Sequence, residues 1–96
     1  MQKFQVTIQF EMDDDFMSLV PTHREYINKL IEDGKIDHYA VSMETQHSWI
    51  TVSAETKKDV IQMLSQSPLF KYWNYEINEL FVVDGLHYRL PAVQLN

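Results

Sequence analysis

Residues 4–10 alternate between apolar and polar side chains. The apolar positions are Phe4, Val6, Ile8 and Phe10, and the polar positions between them are Gln5, Thr7 and Gln9. A strict period of two predicts a β-strand with one face on a core and the other face turned away from it. The acidic run of residues 13–15 is expected to end this strand.

A long helix is predicted next, because apolar or half-apolar side chains recur every three or four residues. They are Phe16, Leu19, Val20, His23, Tyr26, Ile27, Leu30 and Ile31. Proline inside a helix removes a hydrogen bond and clashes with the preceding turn. We therefore expect Pro21 in the first turn, with Ser18 as the N-cap. Gly34 is expected to end the helix as its C′ residue.

Residues 36–43 and 48–53 are β-rich and predict a hairpin. Pairing Val41 with Ile50 and Tyr39 with Val52 keeps apolar opposite apolar, whereas a slip of one residue mixes the two faces. The other face of the hairpin then carries His38, Ala40, Ser42, Trp49 and Thr51.

A second helix is predicted from the capping box that Thr56 and Asp59 form. The dipeptide Ser67-Pro68 is expected to end it, because the residue before a proline avoids helical geometry. A fourth strand follows around residues 75–77.

An Asp84-Gly85 turn between two apolar runs predicts another hairpin, with a fifth strand over residues 86–90. We expect this strand to cover an edge of the sheet, and its tail to reach a second protomer. Arg89 would then lie near the mouth of a cleft and attract an anionic ligand.

Strand, helix, two strands, helix, strand is the ferredoxin-like order, so residues 1–96 are predicted to form one α+β domain with an extra C-terminal strand. Both helices would cover one face of the sheet. The uncovered face would carry Gln5, Thr7, Gln9, His38, Ser42, Trp49, Thr51, Asn74 and Glu76. This mixture of polar and aromatic side chains predicts that a second copy packs there and leaves a cleft, as a homodimer or higher homo-oligomer.

Composition narrows the classes of partner. The 96 residues include no cysteine, which excludes disulfides and thiolate metal sites and fits a reducing compartment. The net charge of −6, with scattered basic residues, predicts no binding to nucleic acid. The start lacks the pattern of a secretory signal and no apolar run approaches membrane length, so we expect a cytoplasmic protein with no membrane partner.

Three stretches resemble the dimeric α/β barrel superfamily, and within it muconolactone isomerase and its small relatives. They are Tyr26 eight residues before Gly34-Lys35, His38 after that pair, and residues 64–72, which read Leu-Ser-Gln-Ser-Pro-Leu-Phe-Lys-Tyr. The likeness covers residues 1 to about 80. It implies the ferredoxin-like dimeric barrel fold and an isomerisation that needs neither a metal nor an organic cofactor.

Helix one also resembles that of YciI-like proteins, which carry a Pro-x-His like Pro21-Thr22-His23. Their usual Asp-Pro after the second helix is Ser67-Pro68 in this chain. A further departure is on strand one, where the isomerase pattern has ionisable side chains and this chain has neutral ones at Gln5, Thr7 and Gln9. A neutral amide cannot act as the base of an enolisation.

Isomerisation of an unsaturated lactone needs a base and a donor for the enolate oxygen. The candidate catalytic residues are His23 or His38 as base and Glu76 as acid or base beside Trp49. The structural alternatives are a packed histidine at position 23, an exposed one at position 38 and a salt-bridged glutamate at the dimer rim.

The candidate substrate-binding residues are Gln5, Thr7, Gln9, Trp49, Tyr72, Trp73 and Arg89, of which the aromatic ones would line an apolar pocket. No histidine pair has metal-ligand spacing, so no metal site is predicted within one chain. Two other functions stay open: a non-catalytic dimeric module that binds a small ligand or a protein, and a cofactor-free monooxygenase.

Overall fold

A computed structural model describes residues 1–84 and shows the predicted α+β, ferredoxin-like fold. The elements are β1 (Gln2–Phe10), α1 (Asp14–Glu32), β2 (Ile36–Ser42), β3 (His47–Ala54), α2 (Lys57–Leu64), a 3-10 turn (Phe70–Tyr72) and β4 (Trp73–Leu80). The four strands form an antiparallel sheet in the order β2-β3-β1-β4. The predicted fifth strand and Arg89 lie outside the described residues.

The core lies between the sheet and the two helices. On β1 the four alternate apolar side chains are buried, as the period of two predicts, and Ile50 and Val52 of β3 share their face. Helix α1 contributes Phe16, Ile27 and Leu30, and α2 contributes Val60 and Leu64. Neither helix of the described part is long and apolar enough to cross a membrane.

Helix α1 begins earlier than predicted. Asp13 is the N-cap, and its Oδ1 accepts a hydrogen bond of 2.7 Å from the amide of Phe16. The expected cap at Ser18 is therefore wrong. The early start buries Phe16, whose ring stacks on Phe10 with 5.2 Å between centroids. Carboxylates in the first turn also favour this start, because their negative charge is stabilised by the positive end of the helix dipole.

Pro21 consequently lies inside the helix and not in its first turn. It has no N–H to donate to the carbonyl of Met17, four residues earlier. The side chains of both residues are exposed, so this turn faces solvent, where water can satisfy the carbonyl. Tertiary burial of Phe16 and the acidic cap outweigh the local cost of the proline.

The end of α1 agrees with the sequence. Gly34 has a φ of +76°, its amide donates to Ile31, and the amide of Lys35 donates to Leu30. These two bonds form a Schellman motif, in which glycine takes the left-handed position. The chain is thereby turned directly into β2.

The predicted register of the β2–β3 hairpin is wrong by two residues. Tyr39 pairs with Ile50 and Val41 with Ser48, and a bulge before His38 lets Ile36 pair with Val52. A shift of two keeps every side chain on its own face, so the apolar pattern cannot distinguish the two registers. The faces themselves are as predicted.

Replacing Asp13 by Ala should lower the free energy of unfolding by about 1 kcal/mol, because the Phe16 amide loses its acceptor. Asp13→Asn keeps an acceptor and should cost less. In urea denaturation followed by circular dichroism, Ser18→Ala should change stability by only a few tenths of a kcal/mol. A larger loss for Ser18→Ala than for Asp13→Ala would contradict the assigned start of α1.

Candidate functional site

A cavity of about 190 Å³ lies between α1 and the helix-covered face of the sheet. Its walls are mostly apolar, including Phe16, Val20 and Trp73. The polar side chains that line it are His23, Arg24, Tyr39 and Ser48. Such a mixture of apolar walls and a few converging polar groups is typical of small-molecule sites.

His23 is the buried polar residue at the base of this cavity. It lies on the inward face of α1, seven residues after Phe16, and is 2% exposed. Its Nε2 lies 2.8 Å from the Tyr39 hydroxyl of β2, and its Nδ1 lies 2.7 Å from Ser67 Oγ. The ring of Trp73 meets the imidazole edge-on at 5.8 Å between centroids. Both ring nitrogens are therefore hydrogen-bonded and the imidazole cannot rotate freely.

Ser67 occupies the turn after α2 and is 4% exposed. The Leu69 amide donates to its hydroxyl oxygen at 3.1 Å, and the Phe70 amide donates to its carbonyl at 3.2 Å. The turn that Pro68 enforces thus fixes the serine. The serine hydroxyl is thereby positioned against the buried imidazole of His23.

Burial sets the protonation of this cluster. The pKa of His23 is lowered from 6.5 to about 4, first because burial disfavours the cation and second because the Arg24 guanidinium repels it. Burial also raises the pKa of Tyr39, an effect that Arg24 and the Ser48 hydroxyl oppose. At neutral pH the imidazole and the phenol are both uncharged.

The structure separates the predicted site residues into two groups. His23 and Trp73 lie at the cavity, on the helix-covered side of the sheet, and Tyr72 packs edge-on against Phe16 beside it. The residues of the uncovered face are Gln5, Thr7, Gln9, His38, Trp49 and Glu76. Glu76 therefore cannot be the partner of His23 within one chain.

The uncovered face is polar and shallow within the described chain. Thr7 lies between Trp49 and Glu76 on neighbouring strands, and Glu76 is exposed within one chain, so its role as acid or base beside Trp49 stays a prediction. The imidazole of His47 stacks on Trp49 with 6.1 Å between centroids. His38 is exposed. Trp49 lies on the opposite face of the sheet from Trp73, so these two residues do not line one pocket within residues 1–84 of a single chain.

Sequence reasoning did not single out Arg24 and Tyr39, which line the cavity, or Ser67, which contacts His23. The sequence pattern placed Tyr39 among the apolar positions of β2. Its hydroxyl contacts His23, which lies 16 residues earlier in the sequence. Ser67 lies 44 residues from His23 and carried a signal only as the residue in place of an aspartate. In residues 1–84, no group of three or more His, Asp or Glu side chains is placed to hold a metal ion.

The lowered pKa of His23 predicts a specific dependence of stability on pH. Between pH 4 and 6.5 the unfolded chain binds a proton at this site that the folded chain does not, so stability is complete above pH 6.5 and falls as pH drops toward 4. At about 1.4 kcal/mol for each pH unit, the loss reaches about 3 kcal/mol.

His23→Gln, which cannot titrate, should remove this part of the pH dependence and leave the rest of it unchanged. The measurement is the free energy of unfolding in urea at several pH values between 4 and 7.5. Parallel curves for the two proteins would show that His23 is protonated to the same extent in the folded and unfolded chains.

Comparison with known proteins supports the fold. No protein-family model matches the sequence, and no curated protein sequence matches it. Among solved structures, the crystal structure of muconolactone isomerase superposes with a TM-score of 0.67 at 20% sequence identity. The alignment covers 81% of this chain and 86% of that chain. The chain therefore shares the fold of muconolactone isomerase.

Proposed function

We propose that this chain binds a compact, largely apolar molecule in the cavity between α1 and the sheet, with a polar group of the ligand against Tyr39. The observation that carries the proposal is Tyr39, which lines an apolar cavity and whose hydroxyl lies 2.8 Å from Nε2 of the buried His23. A buried polar pair at an apolar wall orients a ligand, because only a ligand with a matching polar atom avoids leaving the phenol unpaired.

The cavity volume sets the size of the ligand. Apolar cavities of about 150 Å³ take up a benzene-sized molecule. The volume here, about 190 Å³, therefore suits one ring with a small substituent. Larger ligands would have to extend through the mouth of the cavity.

The mouth combines an apolar rim with one cation. Met17, Val41 and Met43 line the cavity and are 48%, 43% and 53% exposed. Unbranched methionines adapt to different ligand shapes. The Arg24 guanidinium lies 5.5 Å from the centroid of the Tyr39 ring. In a protein of net charge −6, this local cation favours a ligand with a partial or full negative charge on oxygen.

A second candidate function is cofactor-independent proton transfer of the isomerase type. It is favoured by the neutral imidazole of His23, which is linked to Tyr39 at the cavity wall and could exchange a proton through it. The fold shared with muconolactone isomerase is compatible with this chemistry, but a fold alone does not assign a reaction.

We also propose that two chains pair through the uncovered face of the sheet. Trp49 there is half-buried in a single chain, and the Thr51 hydroxyl donates to Gln5 Oε1 at 2.8 Å, so part of the polar surface is already satisfied internally. A second copy would cover the indole and meet the remaining amides and hydroxyls with its own. The ligand cavity is on the other side of the sheet and does not require this contact.

Ligand binding can be followed through the methionine methyl groups. With ¹³C-labelled methionine, titration with benzoate and with acetophenone should shift the methyl signals of Met17 and Met43, which line the cavity. Met1 and Met63 lie at a different surface depression and serve as internal references. Val20→Phe should fill the cavity and abolish the shifts.

Shifts at Met1 and Met63 equal to those at Met17 and Met43, or unchanged shifts in Val20→Phe, would contradict binding in the cavity. Adding an unsaturated lactone in D₂O to the same sample separates the two candidate functions. Deuterium exchange next to the carbonyl that Tyr39→Phe abolishes would establish proton transfer, whereas binding without exchange supports a binding protein.

Pairing through the sheet face is tested by Trp49→Lys, which places a charge where the contact should exclude water. Sedimentation velocity at micromolar concentration should show a dimer for the unchanged chain and a weakened one for the variant, since an unpaired buried charge costs several kcal/mol. Asn28→Lys, on the exposed surface of α1, adds the same charge and should leave association unchanged. A monomeric unchanged chain, or equal association of both variants, would overturn this interface.

A further inference from the structure

A continuous chain of hydrogen bonds runs from the backbone to the cavity. The Leu69 amide meets Ser67 Oγ at 3.1 Å, Ser67 Oγ meets His23 Nδ1 at 2.7 Å, and His23 Nε2 meets the Tyr39 hydroxyl at 2.8 Å. In the first of these bonds the donor is known, because a backbone N–H can only donate. The direction of the others follows from counting hydrogens.

Ser67 has one hydroxyl hydrogen, and its oxygen already accepts the Leu69 N–H. If His23 Nδ1–H also donated to that oxygen, the hydroxyl hydrogen would have no acceptor among residues 1–84. Ser67 is 4% exposed, so bulk water would not replace the missing acceptor. Buried donors are rarely left unpaired. The serine therefore donates to Nδ1.

A neutral imidazole has one protonated nitrogen and one acceptor nitrogen. Since Nδ1 accepts from Ser67, the hydrogen is on Nε2 and is donated to the Tyr39 oxygen. The pKa of His23, lowered to about 4, keeps the ring neutral at pH 7 and so preserves this arrangement. The phenol has its own hydrogen left to donate on the cavity side.

We infer that Ser67 holds His23 in the Nε2–H tautomer and thereby makes Tyr39 a hydrogen-bond donor toward the cavity, so that the ligand presents an acceptor oxygen, as in a carbonyl or carboxylate group. The ligand class rests on the proposed function, whereas the tautomer does not. Ser67 is a positioning residue, since it acts through His23 and is separated from the cavity by it.

Ser48 is the protein group that can pair with Tyr39 before a ligand arrives. It lines the same cavity, and its hydroxyl donates to the Ala40 carbonyl at 3.1 Å, so its lone pairs remain available to the phenol. A ligand oxygen replaces this neutral acceptor. Carbonyl and carboxylate oxygens are stronger acceptors than a serine hydroxyl, so they gain from this exchange. A hydrocarbon leaves the bond to Ser48 unchanged and gains nothing from the phenol.

Long-range ¹H–¹⁵N correlation of the full-length chain at pH 7 reads the tautomer directly. His23 Nε2 should give the signal of a protonated ring nitrogen and Nδ1 that of an unprotonated one. The reverse assignment in the unchanged protein would overturn the inference without any variant or ligand.

Ser67→Asp supplies the matched variant, because a carboxylate can only accept. It should move the hydrogen to Nδ1, make Nε2 the acceptor for Tyr39 and exchange the two nitrogen signals, whereas Ser67→Thr should keep the original pattern. An unchanged tautomer in folded Ser67→Asp would show that the serine does not set it. If that variant does not fold, the spectra of the unchanged protein and of Ser67→Thr decide.

The ligand class is tested with acetophenone and ethylbenzene, two neutral probes of similar shape that differ in the carbonyl oxygen. Tyr39→Phe should weaken acetophenone binding about five- to tenfold, the effect of one hydrogen bond, and leave ethylbenzene binding unchanged. Equal loss for both probes, or none, would overturn the donor role. If neither probe binds the unchanged chain, the proposed function fails, and the nitrogen signals still decide the tautomer.

Discussion

The need to pair both nitrogens of one buried imidazole constrains how α1, β2 and the turn after α2 pack together. His23 lies on α1, Tyr39 on β2 and Ser67 in the turn after α2, so the two bonds connect three segments that are distant in sequence. Removing any one partner would leave a polar group in a site that is 2% exposed. The helix, the edge strand and the turn are thereby held in one relative position, and that position leaves the cavity open between them.

The sheet separates two kinds of surface. The alternation of β1 places its apolar side chains toward the helices and the cavity, and its amides and hydroxyls on the uncovered face. A site built on the covered side has low polarity and buried hydrogen bonds, which is favourable for orienting a small ligand. The uncovered side has exposed carboxylate and amide groups, and the proposed pairing of two chains would place it against a second copy. His23 reaches the covered side of the sheet from α1, whereas Trp49 lies on the uncovered side, so within one chain these two residues belong to different surfaces.

The fold could be predicted from the sequence because it depends on local periodicity. The period of two in β1, the Thr56 cap of α2 and the glycine at position 34 each have a short-range cause, and each is found as predicted. The start of α1 was predicted wrongly, because the burial of Phe16 outweighs the local preference of Pro21 for the first turn of a helix. The hairpin register also escaped prediction, since a shift of two residues preserves both faces. The site was only half accessible: His23 was singled out, but its partners are 16 and 44 residues away and no local pattern connects them.

The side chain at position 67 can change the chemistry of His23 without a change of fold. A carboxylate at this position would accept a hydrogen from Nδ1 and leave Nε2 as a base toward the phenol, which suits the removal of a proton from a substrate. A hydroxyl that already accepts the Leu69 amide could accept a second hydrogen, but its own hydrogen would then have no acceptor among residues 1–84, so the serine donates and the same imidazole becomes a donor toward Tyr39. The backbone need not move for this change, since a serine and an aspartate both fit a turn that precedes proline. Under the proposed function, the direction of a single buried hydrogen bond decides whether Tyr39 meets a ligand as a base or as a donor, and a superposition of backbones does not contain that information.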